Sequence, residues 1–166
     1  MIKLLGVIVV VFSAGFIGII SSERLKSRAS ELTLTGYLID EISVLIRYKA
    51  MPVYEISAYL KNDKIGSQLD FIRNLDDDGE NSFSAAWEKS IDASRLALSA
   101  SDKALLKTFG SSLGTSDIQG QLSTLELYKE SFKKLENDAV KIYEEKSKLF
   151  RSMGFLAGAF IAVMLI

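Results

Sequence analysis

The sequence predicts an all-α fold: a helical bundle of about six helices, flanked by one transmembrane helix at each end. Apolar residues recur at three-to-four spacing through most of the chain, which is typical of amphipathic helices. The alternation typical of strands never persists. Uncharged apolar runs lie near both ends. We therefore expect residues 1–21 to form an N-terminal transmembrane helix, 22–151 a cytoplasmic bundle and 152–166 a C-terminal transmembrane helix.

The first apolar run, Leu4 to Ile20, has about 17 residues and would cover about 26 Å as a helix, close to a hydrocarbon thickness of about 30 Å. A secretory signal peptide is the alternative, because Lys3 precedes the run and residues 13–15 are small. Those small residues lie inside the run, however, and a second apolar run ends the chain. We therefore expect an anchor and not a cleaved leader.

The second apolar run, Met153 to Ile166, has about 14 residues, so a buried core helix is the alternative to a membrane span. Both runs contain small residues at four-residue spacing, which allow two helix backbones to approach closely. In each helix these small residues form a strip along one face, and we expect the two strips to pair in an antiparallel arrangement. The alternative is that glycine is simply frequent in membrane helices. The strips consist of Ala14 and Gly18 in the first run, and of Gly154, Gly158 and Ala162 in the second.

Basic residues next to the apolar runs predict the orientation of the bundle. Because the cytoplasmic flanks of membrane helices are enriched in Lys and Arg, we expect the segment between the runs to face the cytoplasm. The bases on the inner flanks are Arg24, Lys26, Arg28, Lys141, Lys146, Lys148 and Arg151, whereas Lys3 is the only base on the outer side.

The composition excludes several kinds of chemistry. The 166 residues include neither Cys nor His, which excludes disulfides, thiolate or imidazole metal sites and Ser/His or Cys/His nucleophiles. The 20 Lys and Arg residues nearly balance the 21 Asp and Glu residues, so no nucleic-acid surface is expected. We expect a protein that is not an enzyme, with no cofactor, no metal and no small-molecule substrate.

The first long helix is expected to continue to about Tyr48, because its apolar residues keep helical spacing. Pro52, the only proline, cannot continue that helix but suits the first turn of a second one. A polar break at residues 61–64 then precedes a short third helix. The apolar positions of these two helices are Val53, Ile56 and Leu60, followed by Leu69, Ile72 and Leu75.

The acidic run Asp76 to Glu80 resembles a calcium-binding loop. With Asn74 at position one, Asp or Gly residues fall at positions three, five and six, but Ala85 stands at position twelve, where the loop needs a Glu. We therefore expect a solvated loop without metal. An enzyme that uses these carboxylates is a further alternative, but a wet loop provides no desolvation that would shift their pKa toward neutrality.

A fourth helix is expected from about Ser82 to Ala97, with Trp87 in the core. Residues 99–101 form a capping stretch before a fifth helix, which is expected from Asp102 to Leu113. Within the fifth helix, Gly110 indicates that another helix crosses very close to it.

Gly114 suits the left-handed residue that follows a helix end. We expect Ser116 to begin the last helix, with Gln119 completing a capping box. No helix breaker follows, so this helix is expected to continue into the second apolar run.

The most distinctive motif is Phe109-Gly110-x-x-Leu113-Gly114-x-x-Asp117-x-x-x-Gln121. With this motif, the sequence resembles the stage III sporulation protein AB family of endospore-forming bacteria along the whole chain. The family often carries Tyr-Gly-x-Thr-Pro-Leu near the first proline, of which only Tyr48 and Pro52 are present here. Supporting segments are Lys3-Leu4-Leu5-Gly6, Ala86-Trp87 and Gly154-Phe155-Leu156-Ala157-Gly158.

The resemblance implies a protein of the mother-cell membrane around the engulfed forespore, with its bundle in the mother-cell cytoplasm. It also implies a helical domain similar to that of the inner-membrane platform of type II secretion systems. The partners that it implies are the bilayer, a secretion-type cytosolic ATPase and other membrane proteins of the same sporulation channel complex. A membrane-anchored sensor or adaptor module without a channel role is the alternative.

The motif residues are the candidates for partner binding, and two interpretations are open. In one, the turn presents Asp117 and Gln121 to a partner. In the other, Gly110 and Gly114 permit close packing while Asp117 caps a helix. The full set is Phe109, Gly110, Leu113, Gly114, Asp117 and Gln121.

Overall fold

The computed structural model describes residues 2–76 and 82–165, without the side chains of residues 2–12, 14, 15, 151, 155, 158, 159 and 162–165. Among the described residues there are six α-helices, one 3-10 turn and no strand. The predicted all-α fold is therefore confirmed. The elements are α1 (Ile2–Lys49), α2 (Val53–Asn62), a 3-10 turn (Gly66–Gln68), α3 (Asp70–Arg73), α4 (Phe83–Ala93), α5 (Ala100–Ser112) and α6 (Ile118–Leu165).

The chain divides into two compact units. Unit 1 consists of Met1–Ala29 and Asp138–Ile166, and unit 2 consists of Ser30–Asn137. The first part of α1 and the last part of α6 thus belong to unit 1. The remaining parts of these helices, together with α2 to α5, belong to unit 2.

Within residues 2–76 and 82–165, no helix has a stretch both long and apolar enough to be a candidate membrane span. The expected transmembrane helices at residues 1–21 and 152–166 are therefore not supported.

The two helices of unit 1 approach closely at Gly18. A Cβ atom at Gly18 would overlap the carbonyl oxygen of Phe150, and it would lie 3.4 Å from the Cα of Gly154. One glycine from each predicted small-residue strip therefore lies at this crossing. The packing of the other strip residues, Ala14, Gly158 and Ala162, lies outside what the structure describes.

The core of unit 2 is built by apolar residues from all six helices. Most of them occupy the helical spacing that the sequence predicts, but Phe71, which was not among the predicted core positions, is also fully buried. The largest fully buried side chains are Trp87, Phe71, Phe109, Phe132, Leu32, Leu38, Ile39, Ile42, Leu45, Ile56, Leu60 and Leu69.

The turn between α1 and α2 differs from the prediction in one respect. Pro52 lies before α2 as its N-cap, with φ −63° and ψ 151°, and not in the first turn of the helix. Its carbonyl oxygen accepts hydrogen bonds from the N–H groups of Glu55 (3.0 Å) and Ile56 (3.1 Å). Pro52 thus starts α2 through its carbonyl, from an extended conformation.

Helix α4 ends at Ala93, four residues earlier than predicted, and an extended linker at residues 94–99 follows. Two carboxylates from other helices bind the backbone of the linker. Asp70 accepts from the N–H of Arg95 (3.0 Å), and Glu31 accepts from the N–H of Ala97 (2.8 Å). These acceptors replace the i−4 carbonyls that a longer α4 would provide.

Helix α5 begins with a capping box, as the predicted capping stretch indicates. Ser99 Oγ accepts from the N–H of Asp102 (3.2 Å), and the Asp102 carboxylate accepts from the N–H of Ser99 (2.9 Å). The helix begins at Ala100, two residues before the predicted start. The reciprocal bonds satisfy backbone N–H groups that an uncapped helix end would leave without partners.

The Glu31 carboxyl, which accepts a hydrogen bond from the linker, has a shifted pKa. Partial burial raises its pKa above the ordinary 4.5, although the hydrogen bonds from Ala97 and Leu98 and the charge of Lys103 act in the opposite direction. The folded chain therefore holds this proton more tightly than the unfolded chain, and the contribution of Glu31 to stability decreases as pH rises through the window just above 4.5.

Replacing Glu31→Gln is expected to remove this pH dependence, because the amide keeps an acceptor for Ala97 but carries no charge. Urea unfolding at pH 4 to 7 measures the free energy of unfolding of both proteins. As pH rises, this free energy should decrease for the native chain relative to the variant. Glu130→Gln, at an exposed position on α6, is the matched control. If both variants show the same pH profile, the assignment to Glu31 is wrong.

Gly36 lies in the middle of α1 beside an open groove, and a Cβ added there would meet no atom within 4 Å. Because alanine favours a helix interior over glycine by about 1 kcal/mol, Gly36→Ala is expected to raise the free energy of unfolding by about 0.5–1 kcal/mol. Urea unfolding followed by far-UV circular dichroism measures the change. A loss of stability would contradict the open surroundings of Gly36.

Candidate docking surface

The six candidate residues of the motif meet at the end of α5 and the start of α6. Gly114 has φ +76°, the left-handed conformation that its position predicts, and a Cβ there would lie 3.1 Å from Val53 Cγ2. The turn between α5 and α6 therefore packs beside the start of α2, within unit 2.

Asp117 and Gln121 hold this turn together. The Oδ1 atom of Asp117 accepts from the N–H of Gly120 (3.0 Å), which caps α6. The Gln121 side chain accepts from the N–H of Gly114 (3.3 Å) and donates to the carbonyl of Ser116 (2.9 Å). Both polar side chains thus have partners within the turn.

The expected capping box of Ser116 and Gln119 is wrong. Helix α6 begins at Ile118, two residues after Ser116, and the side chain that reaches the third N–H of the helix is that of Asp117. The physical reason is register, because the cap must immediately precede the first helical residue.

The other motif residues face the interior. Phe109 is fully buried, with its ring centroid 5.8 Å from that of Trp87 and 5.3 Å from that of Tyr128. A Cβ at Gly110 would overlap the indole ring of Trp87, so the close helix crossing predicted there is present. Leu113 is buried as well. The motif therefore supports the shape of the turn, and its binding to a partner stays a prediction.

Exposed apolar side chains lie near this turn, and none of them was among the predicted site residues. Tyr48 is 76% exposed and Tyr54 is 65% exposed, and Val44 and Ile118 are also exposed. Val44, Tyr48 and Leu122 line one open groove. Tyr54 follows Val53, whose Cγ2 atom would lie 3.1 Å from a Cβ at Gly114, and Ile118 follows Asp117 in the sequence. We call Val44, Tyr48, Tyr54, Ile118 and Leu122 the tyrosine surface.

A spacing signal could have indicated this surface. Val44 and Tyr48 are four residues apart on α1, and so are Ile118 and Leu122 on α6. Residues at this spacing share a helix face. Each pair is apolar but lies outside the core stripe of its helix, so each helix carries a second apolar face.

Charged residues surround the groove of the tyrosine surface. Lys129 Nζ lies 2.6 Å from Asp40 Oδ1, and this hydrogen bond raises the pKa of Lys129, which therefore stays protonated at neutral pH. Arg47 and Glu126 also line the groove. An aromatic and aliphatic centre with a charged rim is the usual anatomy of a protein-protein interface.

The polar groups of the tyrosine surface can donate and accept hydrogen bonds. Its hydroxyls belong to tyrosines, and the hydrogen bond from Tyr54 to Glu55 Oε1 (3.2 Å) raises the pKa of Tyr54 and keeps it protonated. In the described part of the chain, no group of three or more acidic side chains could hold a metal ion. The arrangement therefore offers contact area and hydrogen bonds to a partner.

Comparisons with known proteins agree on one family. A family model described as stage III sporulation protein AB matches residues 3–166. Stage III sporulation protein AB of Bacillus subtilis (strain 168) is 25% identical over 170 residues, which covers 99% of each chain. A solved structure described as stage III sporulation protein AB shares the fold with a TM-score of 0.57 at 24% identity, over 70% of this chain and 96% of that chain. The resemblance is thus confirmed, and the chain belongs to the stage III sporulation protein AB family, with a role in sporulation.

Proposed function

We propose that this protein is a non-enzymatic platform of a secretion-like channel complex between mother cell and forespore. Unit 1 attaches it to the mother-cell membrane around the forespore. Unit 2 faces the mother-cell cytoplasm and docks a secretion-type ATPase through the tyrosine surface, beside other membrane proteins of the complex. The observation that carries the proposal is the exposure of two tyrosines next to the family's most distinctive turn.

Docking through this surface has a physical basis. Tyrosine side chains contribute large contact area at a low entropic cost, and they are enriched among the residues that dominate binding energy. Tyr48 and Tyr54 are exposed although several other large aromatic side chains of unit 2 are fully buried. The neighbouring turn between α5 and α6 is held by hydrogen bonds of Asp117 and Gln121, so this part of the molecule is organised before a partner arrives.

Support for membrane attachment comes from unit 1. Leu156 is 65% exposed and Phe160 is 67% exposed, and Phe16 and Ile17 are exposed to a similar extent. Contiguous exposed apolar side chains of this size mark a surface that an apolar environment covers. A bilayer provides that environment, and the proposal therefore assigns unit 1 to the membrane.

The experiment that tests docking is capture of the ATPase of the complex by the purified full chain in mild detergent. Tyr48→Ala with Tyr54→Ala is expected to weaken capture at least about tenfold, because such anchors each contribute on the order of 1–2 kcal/mol or more. Tyr37→Ala is the matched control, since Tyr37 is 54% exposed on α1 but lines a different groove.

The double variant Asp117→Ala, Gln121→Ala tests whether these two side chains contact the ATPase directly or only stabilise the turn. If this folded variant binds as tightly as the native chain, the motif side chains do not contact the ATPase and the turn tolerates their loss. If the tyrosine variant binds as tightly as the Tyr37→Ala control, docking through the tyrosine surface is refuted.

A further inference from the structure

The two units carry opposite net charges. Unit 1 contains eight Lys or Arg residues and four Asp or Glu residues, a net charge of +4. Unit 2 contains twelve bases and seventeen acids, a net charge of −5. The net charge of the whole chain is close to zero, but unit 1 by itself is strongly basic. Unit 1 also exposes apolar side chains.

Four exposed bases of unit 1 lie on the same side of the crossing between its two helices, within about 12 Å of it along the helix axes. Because Gly18 lies against Phe150 and Gly154, these residues set the register of the two helices. Arg24 and Lys26 lie about 9–12 Å beyond Gly18 along α1, and Lys146 and Lys148 lie about 3–6 Å before Phe150 along α6. All four side chains are exposed. We call these four residues the basic belt.

Exposed apolar side chains occupy the next turns on one side of the belt. Ile19 and Ile20 precede it on α1, and Phe150 and Met153 follow it on α6. Residues 21–29 and 138–151 together contain four acids but seven bases. These acids are Glu23, Asp138, Glu144 and Glu145.

We propose that the basic belt binds the headgroups of anionic phospholipids, an inference that depends on the membrane attachment proposed above. An apolar segment in the hydrocarbon region places adjacent bases at headgroup level, where long Lys and Arg stems extend toward the phosphates. The basic belt therefore selects anionic over zwitterionic membranes. The negative net charge of unit 2 gives that unit no such attraction.

The test is flotation of the full chain, diluted from neutral detergent, with vesicles of phosphatidylcholine alone or of phosphatidylcholine mixed with phosphatidylglycerol. Each base near an anionic surface increases the partition coefficient of the protein onto the vesicles by about fivefold. The triple variant Arg24→Gln, Lys26→Gln, Lys148→Gln is compared with the native chain. Its ratio of binding to mixed over phosphatidylcholine vesicles is expected to be at least about tenfold lower. The preference of the native chain is expected to decrease between about 0.05 M and about 0.5 M NaCl.

A matched control removes the same charge from unit 2, at the exposed residues Lys64, Lys89 and Lys134, each changed to Gln. This variant is expected to keep the preference, and equal helical circular dichroism shows that both variants are folded. Equal flotation with both vesicle types overturns the headgroup inference but leaves membrane attachment intact. Flotation with neither type overturns both. An equal loss in the control shows a general charge effect and overturns the belt.

Discussion

Trp87→Ala is expected to lower the free energy of unfolding by about 3–5 kcal/mol, the range for removing a large buried aromatic side chain. Trp87 is fully buried. Its ring centroid lies 5.2 Å from that of Phe71, 5.5 Å from that of Phe83 and 5.8 Å from that of Phe109. These aromatic contacts join α3, α4 and α5, so the cavity left by alanine would open between three helices.

The indole N–H adds a second contribution, because it donates a buried hydrogen bond to the carbonyl of Leu106 (2.9 Å). Trp87→Phe keeps much of the ring but lacks the donor, and it is expected to lose about 1–2 kcal/mol. Urea unfolding of the full chain in mild detergent, followed by far-UV circular dichroism, measures both variants. A loss below about 1 kcal/mol for Trp87→Ala would contradict the central position of this side chain.

Gly110→Ala is expected to lower the free energy of unfolding by about 1–3 kcal/mol through overpacking. The added Cβ would overlap the indole ring of Trp87, and this overlap outweighs the gain of about 1 kcal/mol that alanine brings to a helix interior. The opposite result is expected for Gly36→Ala, which makes the same chemical change in open space.

A double-mutant cycle tests the cause of the Gly110 effect. If the overlap with the indole ring is responsible, Gly110→Ala should be nearly harmless in a Trp87→Ala background, so the two losses should not add. Full additivity would show that Gly110 acts by another route. The same urea unfolding measurement serves for all four proteins of the cycle.

Local rules explain the features that the sequence predicted correctly. The end of α1 near Tyr48, the capping stretch at residues 99–101 and the left-handed Gly114 each depend on residue types within a few positions. Gly110 is a partial exception. Its spacing indicates a close helix crossing, but the structure was needed to identify Trp87 as the partner.

Other features depend on residues far apart in the chain. Helix α4 ends early because Glu31 and Asp70, distant in sequence, supply acceptors to the linker. No periodicity within α4 contains that information. The tyrosine surface likewise combines residues of α1, α2 and α6. Spacing could have indicated an apolar face on α1 and another on α6, but only the fold showed that Val44, Tyr48 and Leu122 line one groove.

The order of residues alone establishes which segments are helical, which faces are apolar and which family the motif resembles, because these properties depend on spacing along one chain segment. The folded arrangement was needed to show that Asp117 and Gln121 close a turn, that exposed tyrosines lie beside it and that opposite charges are separated between two units. Those features depend on which distant segments pack together. The pattern of residues within any one segment does not contain that information.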